Sequence, residues 1–288
     1  MKKILACIDG SSYSDGVCAY AAWASVRLGA GVELLNVLPP AHAEPSHADL
    51  SGAIGLGATS GLFDQLAAED EAHGQEVLRA GRRLIERAEA VLRGAGVKDI
   101  VSLKRRGELA ETICELEPEL ELIVLGKRGK YTEEHATGLV SNLEPLARAV
   151  HRPLLVATSV FTGPERFLIA LDGGKSSAKA LDYIAGSPLL KGIPCHLVTV
   201  CSNEGRGGEA CRKALGAGVA RLAGAGFEVQ AKVLTGHPDQ AVQSYVDLNR
   251  IGLLAIGAYG HSRLRSLIKG SATTLMITSC KIPLLLFR

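Results

Sequence analysis

The sequence predicts an α/β protein made of two tandem doubly wound domains, and two observations support this prediction. First, short apolar segments between helical patterns are typical of βαβ units around a mostly parallel sheet. Second, four segments of the first half recur in the same order in the second. These pairs are ILACIDG (4–10) and FLIALDG (167–173), VELLNV (32–37) and CHLVTV (195–200), ELIVLGKRG (121–129) and GLLAIGAYG (252–260), and HRPLLVAT (151–158) and KIPLLLFR (281–288). We therefore expect one domain over 1–160 and another over 165–288.

The segments between the matched runs carry helical signals. Leu109, Ile113 and Leu116 fit one face of a helix, and a helix is expected to begin at His237-Pro238, because proline is tolerated in a first turn.

The halves differ in length after the second strand. Asp9 and Asp172 are 163 positions apart, whereas Gly107 and Gly236 are only 129 apart, so the first half carries about 34 additional residues. We place this insertion at about 39–75, which begins rich in Pro, Ala, Gly and Ser, and expect a charged helical stretch from about 64 to 94. A loop of this length is usually functional or mobile.

Composition limits the classes of partner. The formal net charge is +2, which gives no overall attraction to nucleic acid or to an anionic membrane. The apolar runs are well short of the roughly 20 residues that span a bilayer, so we expect no membrane span. Seven cysteines without a C-x-x-C pair, mostly in apolar surroundings, favour a reduced, cytoplasmic protein.

The strand ends of the second half suggest a phosphate site. Open α/β sheets bind ligands at the carboxyl ends of their strands, and here those ends carry Asp172, Val200 and Gly257. Gly257 and Gly260 would let the backbone pass close to a ligand or adopt positive φ. Gly270-Ser271 would place free N–H groups of a helix start beside a phosphate, and the cations between them, Arg263, Arg265 and Lys269, would neutralise its charge.

The spacing G-x2-G-x9-G-S after the fourth strand, with Asp closing the first, resembles the nucleotide-binding pattern of the universal stress protein family. The resemblance covers both halves and implies Rossmann-like domains with five-stranded parallel sheets, dimerisation through the last strand, and binding of ATP or AMP, with Mg²⁺ accompanying ATP. The residues that it carries over are Ala170, Asp172, Val200, Ile256, Gly257, Tyr259, Gly260, Gly270, Ser271, Ala272 and Thr273.

The first half departs from this pattern. Gly126 and Gly129 match, but Val140-Ser141 stands where the second half has Gly270-Ser271. A valine there removes the close approach of backbone to phosphate, and Glu133 and Glu134 would repel an anion. We expect this half to bind nucleotide weakly or to hold another ligand, with Asp9, Val37 and Gly129 as its vestigial site.

Two other functions stay open. The stretch DGGKSS (172–177) has some likeness to the loop of ATP pyrophosphatases, which would make the protein an adenylating enzyme that uses Lys175. Alternatively, the chain is a non-enzymatic interaction protein that binds an unknown protein partner through its 39–75 insertion.

The sequence gives no clear catalytic or metal site. It places no general base, so we expect no catalytic residues and at most slow ATP hydrolysis in a stress-response or regulatory protein. His42 and His47 lack further ligands at useful spacing, so we expect no metal site. The apolar last strands PLLVA and PLLLF predict pairing between the halves or in a homodimer.

Overall fold

The computed structural model describes residues 2–38, 59–129, 143–201, 206–258 and 280–288. Its strands are β1 (Lys3–Cys7), β2 (Gly31–Leu38), β3 (Ile100–Arg106), β4 (Leu120–Gly126), β5 (Leu154–Ala157), β6 (Phe167–Leu171), β7 (Cys195–Val200), β8 (Val229–Leu234), β9 (Leu253–Gly257) and β10 (Leu284–Phe287). Its α-helices are α1 (Ser14–Leu28), α2 (Thr59–Gly94), α3 (Leu109–Leu116), α4 (Leu143–Ala149), α5 (Lys175–Gly186), α6 (Arg206–Gly224) and α7 (Pro238–Leu248).

The strands form one continuous sheet in the order β3-β2-β1-β4-β5-β10-β9-β6-β7-β8. Within each half all neighbouring strands are parallel, which confirms the predicted pair of five-stranded parallel sheets. The halves meet through β5 and β10, which pair antiparallel with Leu284 opposite Val156. The apolar last strands therefore associate with each other inside one chain.

Helices cover both faces of the sheet, which explains why its central strands are apolar throughout. Every residue of β5 and of β10 is buried. One apolar cluster joins the sheet to α1, α2, α5 and α6, and the other joins it to α3, α4 and α7. The predicted helix face at Leu109, Ile113 and Leu116 lies in the second cluster, and α7 begins at Pro238 as predicted.

The extra length of the first half is partly helical. Helix α2 has 36 residues, whereas its counterpart α6 has 19. It begins at Thr59, somewhat earlier than the sequence pattern indicated, and the 39–58 part of the insertion lies outside the described residues. Among the described residues, no helix combines the length and apolar character needed to cross a bilayer.

One cysteine pair differs from the expectation of a fully reduced protein. Cys201 and Cys211 form a disulfide, with their Cα atoms 6.5 Å apart, so the expectation is wrong for these two residues. The sequence spacing gives no sign of this pair. Cys201 follows a strand and Cys211 lies in the next helix, and only the folded structure brings the two side chains together. Cys7, Cys18, Cys114, Cys195 and Cys280 are free thiols.

Candidate functional site

The carboxyl edge of the second half contains a topological switch point. Strand β6 lies between β7 and β9, and the chain leaves β6 towards β7. Open α/β sheets bind ligands where the strand order reverses in this way, which here is between β6 and β9. Ala170 of β6 is in register with Ile256 of β9. Asp172 directly follows β6, and Val200 and Gly257 are the last residues of β7 and β9.

The structure thus brings five predicted site residues to one edge of the sheet. The other six, Tyr259, Gly260, Gly270, Ser271, Ala272 and Thr273, lie outside the described residues. The vestigial residues of the first half, Asp9, Val37 and Gly129, are described, whereas Val140-Ser141, Glu133 and Glu134 are not.

Asp172 is held in place by the turn that leads into α5. Its Oδ1 atom accepts a hydrogen bond from the Gly174 amide at 2.8 Å, and the turn between them is made by Gly173 at φ +73°. Its Oδ2 atom makes no hydrogen bond with a described residue, and the side chain is only partly buried. Among the described residues, one carboxylate oxygen is therefore committed to the fold and the other makes no hydrogen bond.

Gly257 has a structural role that the sequence did not predict. Its φ lies outside the positive region, which excludes one of the two roles that the sequence offered, positive φ or close approach of the backbone to a ligand. A Cβ at this position would lie 2.7 Å from the Ser177 amide nitrogen and 2.9 Å from the Ser176 carbonyl carbon. Both atoms belong to the first turn of α5, so glycine at 257 lets this helix pack against the end of β9.

The end of β7 is tied to the rest of the edge by two contacts. Thr199 Oγ1 donates to the Leu171 carbonyl at 3.0 Å, which joins β7 to β6. Directly after Val200, the Cys201–Cys211 disulfide fastens helix α6 to the edge. Val200 stays partly exposed and offers an apolar surface. Sequence reasoning missed the disulfide, and only the position of Cys201 next to a predicted site residue could have suggested it.

The first half repeats the Asp turn. Asp9 Oδ1 accepts the Ser11 amide at 3.0 Å, which matches the turn at Asp172. A Cβ on Gly126 would lie 2.6 Å from Tyr13 Cβ, and a Cβ on Gly129 would lie 2.9 Å from Asp9 Oδ2. The contact of Tyr13 with Gly126 corresponds to that of Ser176 with Gly257, and the backbone at Gly129 lies beside the Asp9 carboxylate, whereas its counterpart Gly260 lies outside the described residues.

A cysteine nucleophile is not available at the Asp9 edge. Cys7 ends β1, two residues before Asp9. Burial raises the pKa of its thiol to about 12, and the Asp9 charge adds to that rise. The thiol is therefore protonated at neutral pH and acts as a small apolar side chain.

Comparison with known proteins agrees with this geometry. Two stretches of the chain, residues 1–158 and 164–288, each match the family model described as the Universal stress protein family. The chain belongs to the universal stress protein family. Over 290 residues, it is 34% identical to the universal stress protein Slr1230 of Synechocystis sp., and the match covers 100% of both chains.

Solved structures place the tandem universal stress protein fold on the whole chain. A universal stress protein from Archaeoglobus fulgidus DSM 4304 matches with a TM-score of 0.65 and 19% identity, over 99% of this chain and 96% of that one. The functionally unknown protein PA1789 from Pseudomonas aeruginosa PAO1 matches with a TM-score of 0.60 and 16% identity, over 100% and 92%. At these identities the likeness concerns the fold alone.

Proposed function

We propose that this universal stress protein binds one adenine nucleotide, ATP or AMP, at the carboxyl edge of its second domain, and that it acts as a nucleotide-dependent stress-response or regulatory protein with at most slow ATP hydrolysis. The observation that carries the proposal is the meeting of Asp172, Val200 and Gly257 at the switch point. The G-x2-G-x9-G-S spacing begins at this same Gly257. We also propose that the chain divides into two domains, over residues 1–160 and 165–288.

The predicted site residues would bind different parts of the nucleotide. The available Oδ2 of Asp172 would accept hydrogen bonds from ribose hydroxyls. Val200, Ala170 and Ile256 would form an apolar floor for the base. The Gly260 and Gly270–Thr273 positions would bind the phosphates through backbone N–H groups and hydroxyls, with Mg²⁺ alongside ATP.

The first domain would be silent for nucleotide, or nearly so. The sequence supports this asymmetry, since Val140-Ser141 stands where the second half has Gly270-Ser271, and Glu133 and Glu134 would repel an anion.

Nucleotide complexes are known for other proteins of this family. One universal stress protein was solved in complex with cAMP, and one from Archaeoglobus fulgidus in complex with dAMP. These alignments cover 44% and 43% of this chain, so the proposal depends on the residues described above rather than on those complexes.

Location and assembly complete the proposal. We place the protein in the cytoplasm, which its five free thiols support. Homodimer formation stays a prediction, because β5 and β10 already pair with each other within the chain.

The first experiment is mass spectrometry of nucleotide released from the purified, heat-denatured protein, together with calorimetric titration of ATP and AMP. We expect one nucleotide per chain. Asp172→Ala should weaken binding by roughly 10-fold or more, since a hydrogen bond to a charged group contributes about 1.5–3 kcal/mol.

Asp9→Ala is the matched control, because it removes the same kind of turn contact in the first domain. It should leave affinity within about twofold, a change of only ~0.4 kcal/mol. Absence of both bound nucleotide and binding heat would refute the proposed function, and equal losses in the two variants would refute the assignment to the second domain.

A further inference from the structure

A cavity lies at the seam between the halves, at the carboxyl end of β10, two strands along the sheet from β6 and Asp172. It has a volume of about 230 Å³, room for roughly seven or eight water molecules. It opens where α5 and the end of β10 meet the residues that precede β5. We call it the seam groove; its lining is Glu121, His151, Arg152, Pro153, Lys179, Tyr183, Phe287 and Arg288.

The internal repeat shows what fills the corresponding place in the first half. Tyr20 of α1 corresponds to Tyr183 of α5, at the same offset of 163 that relates Asp9 to Asp172. The Tyr20 ring packs edge-on against Phe161 with 4.7 Å between ring centroids, and its hydroxyl lies 3.2 Å from Thr158 Oγ1. The segment after β5 therefore covers Tyr20 and satisfies its hydroxyl.

The same segment lies directly against helix α1 at Gly16. A Cβ on Gly16 would lie 1.9 Å from the Thr158 carbonyl oxygen, so only glycine leaves room for the segment. The corresponding position in α5 is Lys179, which is exposed. The first half thus has a small residue beneath a covering segment, and the second half has a cation beside an open groove.

Tyr183 lacks the partner that Tyr20 has. Its ring lies against Phe287, with 5.5 Å between centroids, and its buried hydroxyl makes no hydrogen bond with any described residue. Burial raises the pKa of Tyr183 to about 12, while the Ser187 side chain beside the hydroxyl lowers it, the Glu121 charge adds to the rise and the Arg152 charge opposes it. The hydroxyl therefore keeps its proton at neutral pH, with Ser187 as a polar neighbour rather than a hydrogen-bond partner at normal geometry.

The charges around the groove are predominantly positive. The Arg152 guanidinium donates to the Pro118 carbonyl at 3.1 Å, and the Arg288 guanidinium donates to the Ala149 carbonyl at 3.0 Å. Neither of them, nor Lys179, forms an ion pair with a described residue.

The carboxylates near these cations are already engaged. Glu121 pairs with Lys2 at 3.2 Å. Glu117 accepts the backbone amides of His151 and Arg152. Three cations consequently face the seam groove without an ion pair to a described residue, and the Glu121 carboxylate in the lining is paired with Lys2.

We propose that the seam groove binds a small aromatic acid, a carboxylate or a phosphate monoester. Its acidic group would lie among Arg152, Lys179 and Arg288, since guanidinium groups match both kinds of anion. Its flat apolar part would lie against Tyr183 and Phe287, where Phe161 lies against Tyr20 in the first half. The volume is below the range of roughly 300–1,000 Å³ typical of pockets for larger ligands, which favours a compact acid over a nucleotide.

The test is calorimetric titration of the full chain with phenyl phosphate, benzoate and the neutral phenol. We expect saturable binding of at least one acid and none of phenol. Lys179→Glu should weaken acid binding about tenfold or more, because reversing one charge removes an attraction of the order of 1.4 kcal/mol. Lys213→Glu, an exposed lysine of α6 outside the groove, is the matched control and should change affinity less than twofold.

Comparison of the two acids identifies the ligand chemistry. Binding of phenyl phosphate alone supports a phosphate monoester, and binding of benzoate alone supports a carboxylate. Absence of binding by both acids, or binding unaffected by Lys179→Glu, would overturn the proposal. Competition by ATP, or loss of acid binding in Asp172→Ala, would also overturn it, because the acid would then occupy the nucleotide edge.

Discussion

Replacing Gly257 with alanine tests why this position needs glycine: to let helix α5 pack against β9, or to let a ligand approach the backbone. The added Cβ would lie 2.7 and 2.9 Å from backbone atoms of Ser177 and Ser176. Folded proteins essentially never show a Cβ that close to backbone. Both serines are buried, at 2% and 4% exposure, so the first turn of α5 must move rather than one flexible side chain. Overpacking of this kind typically destabilises by about 1–3 kcal/mol.

The assay is urea denaturation of nucleotide-free protein. We expect Gly257→Ala to lower the free energy of unfolding by about 1–3 kcal/mol through a lower midpoint at unchanged slope. The control is Gly216→Ala in α6, where a Cβ meets nothing within 4 Å. It should raise stability by roughly 0.5–1 kcal/mol, the usual gain from glycine to alanine inside a helix. Unchanged stability of Gly257→Ala would refute the packing explanation and leave ligand approach as the reason for the glycine.

Three further predictions use the same denaturation assay. Tyr20→Phe should lower stability by about 1 kcal/mol because it removes a bonded hydroxyl, whereas Tyr183→Phe should stay within about 0.5 kcal/mol of wild type or gain stability; equal losses would contradict the assignment of partners. Cys211→Ser should lose roughly 2–3 kcal/mol because the disulfide closes a short loop, and reductant should destabilise wild type equally but leave the variant unchanged. Burial lowers the pKa of His196 below its ordinary 6.5, with Arg166 adding to the effect. The unfolded state therefore binds more protons, and the contribution of His196 is complete above pH 6.5 and is lost as pH falls through the lowered folded value. His196→Gln should flatten that part of the stability curve, and an unaltered slope would count against it.

The repeated segments were sufficient to predict the sheet. Each matched pair, such as ILACIDG and FLIALDG, became a pair of equivalent strands, because a buried parallel strand requires a short apolar run wherever it occurs. The apolar runs PLLVA and PLLLF also indicated where the halves associate. Their pairing within one chain could not be decided from the sequence, since the same edges would serve a dimer.

The details of the site depended on contacts between distant residues. The sequence explained Gly257 by a ligand or by positive φ, but the atoms that exclude a Cβ come from α5, about 80 positions earlier. Likewise, nothing in the spacing of Tyr13 indicates that it packs against Gly126. Patterns along the chain predict which residues reach an edge, whereas packing across the edge decides which space stays open.

The internal repeat separates local geometry from its surroundings. Asp9 and Asp172 form the same turn, and Tyr20 and Tyr183 occupy the same helix position, so local sequence does not distinguish the members of either pair. For the two tyrosines the surroundings differ: the chain after β5 lies against Tyr20, whereas the Tyr183 ring lies against Phe287. Any difference in ligand binding between these two positions would therefore come from the chain that covers Tyr20 and not from local sequence.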